Sequence, residues 1–166
     1  MTVIAAKIEK NKIHISCDSQ VSRGNHKKKT GFPGKIVTGS DFFVGVSGDA
    51  LLVPLLTAYS KNHPIGGGGE ERVIEWGFEF LDFCKKRTDS WEQEGDLILC
   101  HHSGLFLIYD WLPLKIEDFC AVGAGFQHAE AAMYLGKSTH EAVDVAINLA
   151  FGCGGDITTE NITLGT

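Results

Sequence analysis

Apolar and polar residues alternate from the start of the chain: Val3, Ile4, Ala6 and Ile8, then Ile13 and Ile15 up to Cys17-Asp18, with Lys10-Asn11-Lys12 between the two runs. A period of two interrupted by a short polar turn predicts an N-terminal β-hairpin beginning at the second residue. Residues 19–34 are polar and punctuated by Gly24, Gly31, Pro33 and Gly34, which predicts a loop. Two strands follow over 35–38 and 42–47, separated by Thr38-Gly39-Ser40-Asp41. At Gly48-Asp49 the period becomes helical, with Leu51, Leu52, Leu55, Leu56 and Tyr59 on one face and Pro54 within the opening turns. A glycine-rich link, 62–69, leads into a second helix from Glu70 to about Lys86, whose Val73, Trp76, Phe80, Leu81 and Cys84 share a stripe.

Short strands are predicted near 96–101, 104–110, 113–116 and 119–122, with the doublet His101-His102 before Ser103-Gly104 reading as a turn. Gly123-Ala124-Gly125 then turns the chain into a helix over 127–136, where Ala129, Ala132 and Met133 face inward. Ser138 with Glu141 three residues on is a capping box, and the helix it opens is expected to bury Ala142, Val145, Ala146 and Leu149. The tail GCGGDITTENITL reads as a turn and a last strand. Strands, two helices, strands, two helices and a strand predict an α+β fold: a four-layer αββα sandwich of two antiparallel sheets between helical layers. At 166 residues this reads as one domain over 1–166.

Composition narrows the functional classes. Fifteen Lys and Arg against 21 Asp and Glu give a net charge of −6, which argues against nucleic acid as partner. No apolar run approaches the roughly 18 residues that cross a bilayer, and Lys7, Glu9 and Lys10 interrupt any signal-peptide core, so a cytoplasmic address without membrane is expected. Cys17, Cys84, Cys100, Cys120 and Cys153 contain no CxxC pair and sit in apolar surroundings, so buried free thiols are expected.

Candidate chemistry starts at Thr2. Removal of Met1, which a small second residue favours, would give one residue both a hydroxyl and a free α-amine. That amine titrates near 7.7–8.0 and can act as base for the hydroxyl. Asp18 ends the returning arm of the hairpin and so comes back toward the chain start. Lys35 opens the third strand, where an ammonium would favour the alkoxide of Thr2 and Asp18 could hold it. Lys27, Lys28 and Lys29 compete for that role. In VGVSGDA, Gly45 permits close approach, and its N–H suits a developing oxyanion.

The order Thr2…Asp18…Lys35…Gly45-x-x-Gly48-Asp49 resembles the proteasome β-subunit family of N-terminal-nucleophile (Ntn) hydrolases, and within it the HslV-type bacterial branch. TVIAAKIEKNKIHISCDSQ is similar to the opening hairpin of that family, and CDSQVSRGNHKKK to its Asp-x-Gln, Gly-Asn and Lys. VGVSGDA resembles its glycine turn, AVGAGFQHAEAAMYL its second glycine turn and helix, and GGDITTEN a Gly-Asp-Ile segment near the C-terminus. The likeness spans essentially the whole chain.

The resemblance implies a threonine peptidase in which Thr2 is the nucleophile, Asp18 and Lys35 activate it, Gly45 supplies the oxyanion donor, and Phe43, Val44 and Gly48 line the substrate site. Acyl transfer would run through an ester on Thr2 and need no cofactor. It further implies hexameric or heptameric rings stacked as a double ring, with unfolded polypeptide supplied by an AAA+ ATPase. A monovalent or divalent structural cation is expected on backbone carbonyls near Gly155, Thr158 and Asn161.

Two departures stand out: Val3 replaces a second Thr, and Ala124 takes the place of a serine near the terminal amine. The loss of that serine, or retention of Met1, keeps open an inactive ring scaffold, and because a fold does not fix its substrate an Ntn amidase acting on small amides stays open too.

Overall fold

The computed structural model describes residues 2–23, 26–28, 34–88, 95–110 and 112–165; Met1 and Lys29 lie outside them, as do the side chains of Lys27 and Lys28. The N-terminal hairpin forms as the alternation predicts, from β1 (Ile4–Glu9) and β2 (Lys12–Asp18). Lys10 and Asn11 between them both take positive φ, 49° and 64°, the two-residue turn whose twist matches the flanking strands. The sequence predicts only a loop for residues 19–34, yet a small hairpin lies there, β3 (Val21–Arg23) and β4 (His26–Lys28). Its residues are nearly all polar, so no apolar period marks them.

Further along come β5 (Ile36–Thr38), β6 (Phe42–Gly48), α1 (Leu52–Ser60), α2 (Gly69–Lys85), β7 (Gly95–His101), β8 (Gly104–Tyr109), β9 (Leu112–Ile116) and β10 (Phe119–Val122). The chain ends in α3 (Phe126–Tyr134), α4 (Thr139–Leu149) and β11 (Ile157–Thr163). One antiparallel sheet has the order β10-β1-β2-β11 and the other β5-β6-β7-β8-β9.

Three apolar layers hold these elements together, and strand parity assigns each residue to one of them. On the larger sheet, Phe42, Val44 and Val46 of β6 face outward against Leu56 and Tyr59 of α1 and Trp76 and Phe80 of α2. Trp76 also donates its indole N–H to the His63 carbonyl at 2.9 Å, which ties α2 to the link before it. On the smaller sheet, Val3 and Ala5 face Ala129, Ala142 and Ala146, and these small side chains let α3 and α4 lie close to the strands. Between the sheets, Ile4, Ile13 and Ile15 meet Ile98 and Leu105. The expected αββα sandwich is therefore present.

Local expectations fare unevenly. The capping box forms in both directions: the Glu141 N–H donates to Ser138 Oγ, and the Ser138 N–H donates to the Glu141 carboxylate. The Ser138 N–H, the Lys137 ammonium and the Ser138 hydroxyl, all donating to it, hold the Glu141 carboxyl down to about 2. Leu149, however, is 65% exposed, and Val143 takes the buried position instead. His101 is no turn residue; it closes β7, fully buried, with Nδ1 2.7 Å from Ser103 Oγ. Burial lowers its pKa to about 4, so the ring is neutral at ordinary pH. All five cysteines are buried and free.

One contact between the sheets places the site. Gly45 is buried in mid-β6, and a Cβ there would lie 2.7 Å from Ile4 Cγ2 and 3.0 Å from Ile15 Cδ1. Its missing side chain is what lets β1 approach β6. We expect Gly45→Ala to cost about 1–3 kcal/mol in urea unfolding through overpacking; an unchanged midpoint would show that the sheets can part freely.

Candidate active site

The two-residue turn sets the register of the hairpin so that Ile4 pairs with Cys17, which brings Asp18 opposite Val3. The Asp18 N–H donates to the Val3 carbonyl at 3.2 Å, and the Val3 N–H donates to Asp18 Oδ1 at 2.9 Å. The carboxylate therefore grips the backbone immediately after Thr2. The same Oδ1 accepts from Lys35 Nζ at 2.5 Å, and Oδ2 accepts from the Gly154 N–H at 3.1 Å. Asp18 is wholly buried and Lys35 only 6% exposed. A carboxylate out of water needs such donors, and here an ammonium and two peptide N–H groups provide them. Of the lysines the sequence leaves in competition, Lys35 is the one whose described ammonium meets Asp18.

A second turn closes on the chain start. The Gly125 N–H donates to the Thr2 carbonyl at 3.3 Å. Gly123, at φ 88°, packs so tightly that any Cβ would collide with the Thr2 carbonyl, so only glycine fits there. Thr2 itself stays half-buried, and Ala124, between the two glycines, is exposed.

Two thiols border the pair, and neither is an activated nucleophile. Burial pushes Cys17 up to about 11, against the lowering influence of Lys35. Cys153 is also raised, first by burial and then by Asp18. Both remain protonated near neutral pH, where a thiolate would be needed for attack.

The other candidates scatter. Gly45 does not present a free donor to the site. The Val46 N–H donates to the Lys35 carbonyl, so by antiparallel alternation the Gly45 N–H turns the other way, toward Ile98 of β7. Gly48 is different. Its N–H points to the β5 side of β6, where β5 has already ended at Ile36, beside Lys35, and the residue is exposed. Phe43 and Val44 lie in the upstream half of β6, five and four residues before Gly48 and thus roughly 17 and 13 Å away at strand rise. Phe43 packs between the sheets and Val44 faces the helices. They form no wall at Thr2.

Nor do the cation candidates converge. Thr158 and Asn161 lie along β11 in regular register with Cys17 and His14. Three residues of extended strand separate their carbonyls by about 10 Å, too far to share one ion. Among the described residues no cluster of three or more His, Cys, Asp or Glu has metal-binding geometry.

Ser47 and Gly154 are the residues that sequence reasoning missed. Ser47 had a readable signal, its place two residues after Gly45 on the same face of β6. Gly154 had none, because its contact with Asp18 spans 136 residues.

The fold is the proteasome-like, HslV-type αββα sandwich. The chain superimposes on Thiobacillus denitrificans BPH in complex with epoxomicin with a TM-score of 0.86 at 19% identity, covering 99% of this chain and 100% of the other. BPH without the compound matches at 0.86 and 18%, covering 99% of both chains. Eukaryotic HslV from Trypanosoma brucei matches at 0.67 and 17%, covering 98% of this chain and 99% of the other. No protein-family model matches the sequence, and no curated protein does. No helix among the described residues is long and apolar enough to cross a membrane.

Proposed function

We propose that this chain is a threonine-type endopeptidase subunit of a self-compartmentalising ring protease. The observation that carries the reading is the buried Asp18 carboxylate, one of whose oxygens holds both the Lys35 ammonium and the Val3 N–H. A positive charge fixed beside residue 2 lowers the cost of forming an alkoxide on Thr2. With Thr2 at the chain terminus, its α-amine takes the hydroxyl proton as Oγ attacks the substrate carbonyl. The Gly48 N–H, in place of Gly45, supports the oxyanion. The amine then returns the proton to the leaving nitrogen, and water hydrolyses the ester on Thr2.

Hexameric or heptameric rings stacked face to face would keep Thr2 inside a chamber, and an AAA+ ATPase would feed unfolded chains to it. Catalysis by this route requires no cofactor.

The pH dependence follows from the amine, which must be neutral to accept the proton. With an α-amino pKa near 7.7–8.0, turnover of a fluorogenic peptide should fall about tenfold per unit below roughly pH 7. A rate flat between pH 6 and 8.5 would remove the amine as base. Ala124 favours one other reading, a ring scaffold that does not cleave, since its side chain offers no hydroxyl to the amine. Peptidase activity that disappears in Thr2→Ala decides for the enzyme; equal rates in both proteins decide for the scaffold.

A further inference from the structure

The turn 123–125 carries no hydroxyl, yet one stands close by on another strand. Ser47 lies on β6 with its neighbours Val44 and Val46 facing the helices, so its own side chain, like the bare face of Gly45, is turned to the space between the sheets. Ile4 fills the gap over Gly45. Thr2 precedes Ile4 by two residues and Ser47 follows Gly45 by two, so each continues the same inter-sheet face toward the site end. Gly123 joins them: the position its Cβ would take is 3.0 Å from Ser47 Oγ and in contact with the Thr2 carbonyl carbon, 2.8 Å away. Ser47 is only 7% exposed, so its hydroxyl is held in this enclosure and not in bulk water.

We infer that Ser47 is a positioning residue for the Thr2 amine, taking the part that Ala124 cannot. The inference rests on the peptidase reading. A neutral amine has two N–H donors and one lone pair; Ser47 Oγ accepts one N–H, which turns the lone pair toward the Thr2 hydroxyl. No bond to substrate forms at Ser47 and no proton is lost to it. The proton travels between Thr2 Oγ and the amine alone. Because the acceptor also stabilises the ammonium, its removal should lower the amine pKa.

The test is the rate of epoxomicin adduct formation on Thr2, followed by mass spectrometry from pH 5.5 to 9 in wild type, Ser47→Ala, Ser47→Thr and Thr2→Ala. Ring integrity is checked by size-exclusion chromatography. Ser47→Ala should react at least tenfold more slowly at its optimum and shift the acid limb down by about half a unit. Ser47→Thr, which keeps the hydroxyl, should restore both. If Ser47→Thr fails to assemble, the limb of Ser47→Ala decides alone. Wild-type rates in Ser47→Ala, or a slow rate with an unmoved limb, would overturn the inference while a dead Thr2→Ala leaves the peptidase reading standing. No adduct on Thr2 in wild type would overturn both.

Discussion

Thr2→Ala should reduce peptide turnover by roughly 10⁴-fold or more while leaving the fold and the assembly intact, the size of loss seen when a covalent nucleophile is deleted. The asymmetry follows from how Thr2 is held. Its recorded hydrogen bond uses its main-chain carbonyl, which accepts from Gly125, and the neighbouring Val3 N–H is what Asp18 binds. Neither depends on the hydroxyl, so stability should change by no more than about 0.5 kcal/mol. Kinetics and urea unfolding on the same preparation check both halves. A variant retaining a tenth of wild-type turnover would move the nucleophile elsewhere, and with Cys17 and Cys153 held protonated the described site offers no ready substitute.

The second large effect lies in the Asp18–Lys35 pair, where activity and stability should separate. Lys35→Met leaves a buried carboxylate with only the Val3 and Gly154 N–H groups, and Asp18→Asn leaves a buried ammonium without its counter-charge. Either change should cost about 3–5 kcal/mol, because the stranded charge, more than the lost attraction, is penalised. The double variant Asp18→Asn/Lys35→Met removes both charges and should recover much of that loss, well short of the sum of the singles. Turnover should be abolished in Lys35→Met and in the double variant, which lack the ammonium, and should fall sharply in Asp18→Asn, whose ammonium loses the carboxylate that fixes it. Urea midpoints that add in the double variant would mean that the two groups do not interact, and peptide cleavage by Lys35→Met would take the lysine out of the mechanism.

What the sequence made legible was whatever depends on near neighbours. The hairpin reads from its alternation and from Lys10-Asn11, and that turn in turn sets Asp18 against Val3, so the link between the second and eighteenth residues was recoverable without coordinates. The capping box at Ser138 was equally local. Failures came where a residue's role is decided across the sandwich. Gly45 and Gly48 look alike in VGVSGDA, but one N–H is spent on β7 and the other passes the end of β5, a difference set by the pairing of three strands. Phe43 and Val44 were placed at the site by the family resemblance, although the strand runs away from Thr2 in that direction. Thr158 and Asn161 were expected to share an ion, and their extended conformation on β11 keeps them apart. Ser47 offered the sequence only its place two residues after Gly45 on one face of β6, and its bearing on Thr2 followed once Gly123 brought the chain start to it.

The most direct measurement is mass spectrometry of the purified chain before and after exposure to epoxomicin, with fragmentation to locate any adduct. The expected result is a chain that begins at Thr2 and gains one inhibitor on that residue, with no gain in Thr2→Ala. A chain still extended ahead of Thr2 and unchanged by the compound, or an adduct on Cys153 with Thr2 untouched, would contradict the N-terminal nucleophile.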